Sequence, residues 1–460
     1  MKKLFTLMLA ALVASAPLYA QKKVAVDTAK YMRNSICLVL MDESNFENSE
    51  VIGQSFRNMP VPEKYNDHNI PVRVFNTKDV PVGPEDIKAL EDAKAEAVGG
   101  AAAAGGKKKK GGFGKMMGGL VKGVASAATG GLVGGGADRE VYAAGANKLI
   151  IENKIGKQLV DKWFLDANGN FSMNLISERG LYNYSAEDIA AAKESELGVS
   201  VLAQDSGTEL LNSTFVIFNH FNYLPKDSVV AEMTKAASAI GALAGYDISG
   251  AAALAGTAAT MALGDGYFVK ITSYLFKLRW SSEFQEIFWE KYWDKHDVYA
   301  ASDEFTCQYI GSEKAFANVK SSIFKNKPQE ELIHMATVNA VDAVLAKLEK
   351  KYDVFKTKTP LIMKEGENGE IIYSAQIGMK EGLEAGDKYE VLEAVFNQET
   401  NKTEYKRVGT LKVSNQIWDN RFGADEELEA KGEAAQTISE TIFEGKVSKA
   451  QPGMLLRQIK

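Results

Sequence analysis

The stretch Ser213–Leu224, "STFVIFNHFNYL", is made of β-branched and aromatic residues around a few polar ones, a composition that reads as a strand. Upstream, "SAED" at 185–188 offers Ser185 as an N-cap with Asp188 three residues later, opening a short helix over "IAAAKESELG". Helical pattern also runs through "REVYAAGANKLIIENKIGKQLVDKWF" (139–164), and "GPEDIKALEDAKAEAVG" (83–99) begins a helix with Pro84 in its first turn and acids behind it. Nearer the start, "NSICLVLM" (34–41) and "IPVRVFN" (70–76) read as further strands. Strands and helices therefore interleave. The expected fold class is α+β: a mixed α/β domain interrupted by Gly/Ala-rich segments and followed by a small C-terminal β-barrel.

Local signals refine this outline. "KWFL" and "FSMNLIS" flank "DANGN", which predicts a hairpin with Asn168 and Gly169 at the positive-φ positions. Further on, "GYFVKITSYLFKLRW" (266–280) alternates as a strand should, and Ser282 with Gln285 forms a capping-box match at the head of "SSEFQEIFWEKYWDKH". In "PQEELIHMATVNAVDAVLAKLEKKYDVF", Leu332, Met335, Val338, Val341, Val344, Leu345 and Leu348 follow helical spacing, so one face of that helix is expected to be buried.

The opening residues "MKKLFTLMLAALVASAPLYA" have two lysines, an apolar core from Leu4 to Ala16 and a small residue at Ala20, the layout of a secretory signal cleaved before Gln21. Leu18 is unusual at its position, so a retained N-terminal anchor stays open. The junction has no cysteine, which argues against a lipoprotein. The expected address is the periplasm or outer membrane of a Gram-negative cell envelope. With 54 basic against 60 acidic residues, and a balance more negative still without Lys2 and Lys3, nucleic acid is not an expected partner. Two cysteines, Cys37 and Cys307, are too few for a disulfide scaffold, and their pairing is left open.

Two tracts of small residues stand out. From Gly99 to Gly136, 15 of 38 residues are glycine, with Lys107, Lys108, Lys109 and Lys110 in the middle. Gly119, Gly123, Ala127, Gly131 and Gly135 recur at every fourth position, as do Ala237, Gly241, Gly245, Ser249, Ala253 and Thr257 in the second tract. On a helix that spacing lets two backbones approach closely. The longest uncharged stretches, 15 residues from Gly123 and 17 from Ile248, fall short of the roughly 20 that a span needs. A flexible loop, docking of the lysines on an anionic membrane, and self-association are the three readings. The implied organisation is a signal (1–20), an α/β region (21–98) resumed at 137–225 around the first tract (99–136), a second tract (226–265), a strand and helix region (266–355) and a barrel (356–460).

Two similarities bear on function. The run from Ser177 to Leu224, with "GTELL" at 207–211 before the apolar strand, resembles the α/β domains of the curli secretion and flagellar assembly families. "IGMKEGLEAGDKYEVLEAV" (377–395), "RVGTLKVSNQIW" (407–418) and "AQPGMLLRQI" (450–459) resemble the small β-barrel that closes the flagellar assembly group, through the Gly382, Gly386, Asp387 turn, the "VGTLKV" strand and the terminal "PGM". The resemblance implies a non-catalytic assembly or binding module whose partners are other envelope proteins or a second copy. The chain lacks the lipidation cysteine and membrane hairpins of the curli group, so pore formation is not carried over.

Catalytic templates are not matched. Gly114 and Lys115 are followed by Met116, which has no hydroxyl for magnesium. Glu331 and His334 share a helical face, but a bundle metal site needs two such pairs. Asp166, Asn168 and Asn170 form a turn rather than a calcium loop, because no glutamate closes the twelfth position. No catalytic, cofactor-binding or metal-ligating residue is therefore expected. Within "FQEIFWEKYW", Phe284, Phe288, Trp289, Tyr292 and Trp293 fall at spacings of three and four. They are expected mainly as core, with Trp289 and Trp293 as an alternative binding surface. The rival reading is a secreted enzyme acting on an envelope substrate through carboxylates such as Asp205 and Glu209.

Overall fold

The computed structural model describes residues 34–43, 48–103, 137–180, 207–223, 266–320, 323–324, 327–366, 368–397, 402–434 and 436–459. The expected signal segment, the first small-residue tract from residue 104 on with Lys107–Lys110, Gly119, Gly123, Gly131 and Gly135, the second tract up to residue 265, the helix expected at Ser185, and Asp205 lie outside them.

Strand β1 (Ser35–Asp42) pairs with three strands of the first sheet. Its neighbours β2 (Asn66–Asp67), β3 (Val74–Asn76) and β4 (Thr214–Tyr223) all run parallel to it. Beyond β4, the antiparallel strands β5 (Gly266–Leu278) and β6 (Cys307–Lys320) extend the sheet, giving the order β2-β1-β4-β5-β6. Cys37, Val39 and Met41 enter one core, and Ile36, Leu38 and Leu40 the other. Burial on both faces explains why the strand reads as an unbroken apolar run rather than an alternating one.

Helices cover both faces. On the first lie α2 (Pro84–Ala103), α3 (Ala137–Glu152), α4 (Ile155–Phe164) and α5 (Asn174–Gly180); on the second lies α1 (Ser49–Asn58). The continuous helix expected over 139–164 is broken between α3 and α4, where Lys154 takes a left-handed conformation (φ 48°). The expected hairpin around "DANGN" is corrected to a single bridge, Leu165 to Phe171. Gly169 does sit at φ 78°, but Trp163 and Phe164 belong to α4 and "SMNLIS" leads into α5. Burial of Leu159, Val160, Trp163 and Phe164 on one helical stripe overrides their β-propensity. Likewise, "IPVRVFN" yields only the three-residue β3.

The segment after β5 opens with α6 (Ser282–Ile287), capped by Ser281, whose Oγ accepts from Phe284 N at 3.1 Å, not by Ser282 as the motif suggests. It continues through a π turn (Phe288–Tyr292) to α7 (His296–Ala300).

Helix α8 (Gln329–Lys351) is buried on more than the one expected face. Leu332, Val341, Val344, Leu345 and Leu348 pack under the sheet. Asn339 and Lys350 point the other way, toward Phe422 and Asp387 in connections of a second, antiparallel sheet. That sheet contains β7 (Thr359–Pro360), β8 (Ile362–Glu365), β9 (Ile371–Ala375), β10 (Lys388–Asn397), β11 (Lys402–Val413), β12 (Thr441–Glu444) and β13 (Leu455–Gln458). Its order, β7-β13-β10-β11-β12-β9-β8, makes a nearly closed, barrel-like seven-stranded sheet around Leu361, Val391, Leu411 and Leu456. Gly382 (φ 69°) and Gly386 (φ 91°) shape the connection from β9 to β10, as the Gly-x-x-x-Gly-Asp spacing predicts.

At the edge of the first sheet, α8 and the residue after it reach β6. Lys347 Nζ donates to the Lys314 carbonyl and Tyr352 Oη to the Ser312 carbonyl, each at 3.1 Å.

Candidate functional site

In open sheets with parallel strands, ligands favour the carboxyl ends of strands where the chain turns to opposite sides. Here β1 leads to β2 and β3 on one side, while β4 lies on the other. At that end, the parallel register sets Met41 beside His220, and Glu43 follows one residue past β1 on the same face. Helix α3 lays Tyr142 across them. Glu43 Oε1 is 3.0 Å from His220 Nε2 and also accepts from Tyr142 Oη. The phenol stacks on the imidazole with ring centres 4.1 Å apart.

Burial pushes the Glu43 carboxyl up, but the hydrogen bonds and charge of His220, aided by Tyr142, bring it below its ordinary value. Asp42 next to it is raised, by burial and then by Glu43's charge. The result is an ionised carboxylate set against an imidazole and a phenol at the carboxyl ends of two parallel strands. Among the described residues, no three His, Cys, Asp or Glu side chains gather as metal ligands.

The amino ends of β1 and β4 hold a second polar cluster. His68, fully buried, donates from Nε2 to Leu159 O at 2.9 Å, so Nδ1 accepts from Arg179 Nη1 at 3.3 Å. The imidazole stacks on Trp163, whose Nε1 donates to Thr214 Oγ1 at 3.0 Å. Every polar atom of the imidazole is engaged by structure. Burial, with Arg179 and Lys162 nearby, holds His68 well below the usual histidine range. Because the unfolded chain binds that proton near pH 6.5 and the native state does not, this group's contribution is complete above pH 6.5 and falls as pH drops below it. Below pH 6.5, urea unfolding should lose up to about 1.4 kcal/mol per unit to this group. His68→Gln, which can donate to Leu159 and accept from Arg179, should flatten the dependence by that amount; an unchanged slope would contradict the assignment.

A cleft of about 520 Å³ opens between residues 69–71 and α4, lined by Asn69, Ile70, Pro71, Gln158, Asp161 and Lys162. Lys162 Nζ donates to Asn69 O at 2.8 Å. Asp161 accepts from Lys157 at 2.9 Å and from Tyr299 Oη at 2.6 Å. Burial raises Tyr299 and the Asp161 charge raises it further, so it stays a phenol donor. Tyr299 belongs to the aromatic cluster centred on Phe288, which meets Phe164 at 4.5 Å. Trp289 and Trp293, 4.4 Å apart, are half-buried against this cluster, each with an edge contact to Phe164.

The other sequence candidates are placed as follows. Glu209 accepts from Lys358 and Tyr405, both at 3.1 Å, and ties 207–212 to the barrel. Glu331 pairs with Lys327, and His334 meets Phe422 edge-on. Cys37 and Cys307 are buried free thiols. Cys37 lines up through Val216 and Phe276 with Tyr309, so β4 and β5 separate the two cysteine strands. Three strand spacings, about 14 Å, exceed the reach of a disulfide. The Glu43, His220 and Tyr142 trio was not found from sequence, because its members are joined only by the register of parallel strands. No family profile and no curated protein matches this chain.

Proposed function

We propose that this chain is a non-catalytic scaffold or assembly module of the cell envelope, exported to the periplasm or the outer membrane, that binds other envelope proteins or a second copy of itself. The observation that carries this reading is α8, which has the sheet on one side and the barrel on the other. A helix held on both sides fixes the spacing of two surfaces, as a scaffold requires. The secretory-type opening segment and the order of α/β domain then barrel, which resembles that of the assembly families, support it. In this reading the tract with Lys107, Lys108, Lys109 and Lys110 and the stripe Gly119, Gly123, Gly131 and Gly135 contact an anionic membrane surface or another copy, and Trp289 with Trp293 offers an aromatic contact surface. Among the described residues no helix is long and apolar enough to cross a membrane.

A second reading, a secreted enzyme, is favoured by one feature, the carboxylate-oriented imidazole of His220. One experiment separates the two. In native cells the parent should sediment with the envelope or in a complex, deletion of residues 99–136 should release it, and His220→Gln should sediment and support growth like the parent. A parent that is wholly soluble and monomeric, or a folded His220→Gln chain without biological activity, would refute the scaffold reading.

A further inference from the structure

The joint between α8 and the barrel holds two carboxyls with opposite surroundings. Glu349 is saturated: Oε2 accepts from Lys64 at 2.9 Å and Tyr65 at 3.2 Å, while Oε1 accepts from Thr357 N at 2.9 Å and Thr357 Oγ1 at 2.6 Å. Two turns earlier, Asp342 is 7% exposed and its Oδ2 has no hydrogen-bond partner. Asp342 borders a cavity of about 10 Å³, room for one water at most, with Pro62, Lys64 and Tyr65 on the β2 side and Lys380 and Glu381 on the barrel turn. Glu381 is itself held inside the barrel, accepting from Gly378 N at 2.7 Å and Asn420 Nδ2 at 2.8 Å. An ionised Asp342 would thus be a buried charge without a hydrogen bond to its Oδ2, set between two other carboxylates, with Lys380 and a Lys64 already bound to Glu349 as the cations that line the cavity.

We propose that the barrel is latched onto the α/β domain by protonated Asp342, so that the joint tightens in acid and loosens when the carboxyl ionises. The latch acts at the joint on which the scaffold reading rests, but its test reads exchange at that joint and not envelope association. Burial raises the Asp342 carboxyl to about 7, Lys380 opposing and Glu381 adding to the shift. A carboxyl freed into water by undocking would titrate near 4. The docked form therefore holds the extra proton between about pH 4 and 7, and docking weakens as pH rises through that window, up to tenfold per unit. Above about 7 the loss is complete and the dependence levels off.

Native-state hydrogen exchange, corrected for intrinsic rates, tests this on the full chain. Protection of the barrel turn at 379–383 should fall several-fold from pH 5.5 to 7.5 in the parent and stay level in Asp342→Asn, whose amide cannot ionise. Equal slopes in the two chains would overturn the proposal. Should Asp342→Asn not fold, the ¹³C carboxyl resonance of Asp342 in the parent decides: a midpoint near 7 supports the latch and one near 4 removes it.

Discussion

Glu349→Gln is expected to destabilise the protein by about 3–5 kcal/mol, the usual loss when one partner of a buried ion pair is removed. Glutamine keeps the shape but removes the Glu349 charge beside the Lys64 ammonium, 7% exposed, and its amide nitrogen must face either Lys64 or the two Thr357 donors. The native carboxylate is held below its ordinary value: burial pushes it up, and Lys64 with Thr357 more than offsets this. Its contribution is therefore present above the ordinary carboxylate range and lost only as pH falls through the depressed value. Urea unfolding at pH 7 measures the change. The double variant Lys64→Met with Glu349→Leu should recover much of the loss, since both charges leave together. A single-variant effect under 1 kcal/mol would mean that water reaches Lys64 and the pair is not truly buried.

Phe288→Ala should cost a similar amount, about 3–5 kcal/mol, through lost burial and the void left behind. Phe288 is fully buried, stacks on Phe164, and touches Trp280 at 5.3 Å and Trp289 at 5.7 Å. The π turn that begins at this residue gives the site little freedom to collapse, because Tyr292 is pinned by Ser302 Oγ at 2.9 Å. Tryptophan fluorescence should shift red together with the loss of stability, as Trp280, Trp289 and Trp293 gain water. A small effect without a spectral change would place Phe288 outside the core.

What the sequence discloses follows how local each signal is. Strands β1 and β4 are legible because both faces are covered, leaving continuous apolar runs, and α8 because its apolar residues repeat at helical spacing. The Gly382 and Gly386 turn is legible because a positive φ restricts residue choice. The "DANGN" hairpin misleads: turn chemistry is right at Gly169, yet the flanking aromatics serve a helix. One face too few was expected of α8 because Asn339, Asp342 and Lys350 look solvent-facing until a barrel is placed against them. The candidate site is hidden for a stronger reason. Tyr142 lies 99 positions from Glu43, and only the strand register and the tilt of α3 bring them together.

The side chains that reach across to β6 have a further consequence. A long strand at a sheet margin is a template on which other chains can polymerise. At Ser312 and Lys314, two residues apart, the carbonyls that would receive an incoming strand are already occupied by Tyr352 and Lys347. An invading strand would have to displace a phenol and strip a lysine of its contact, leaving that charge beside the new ladder. The same helix that joins the two domains thereby blocks strand addition along this margin.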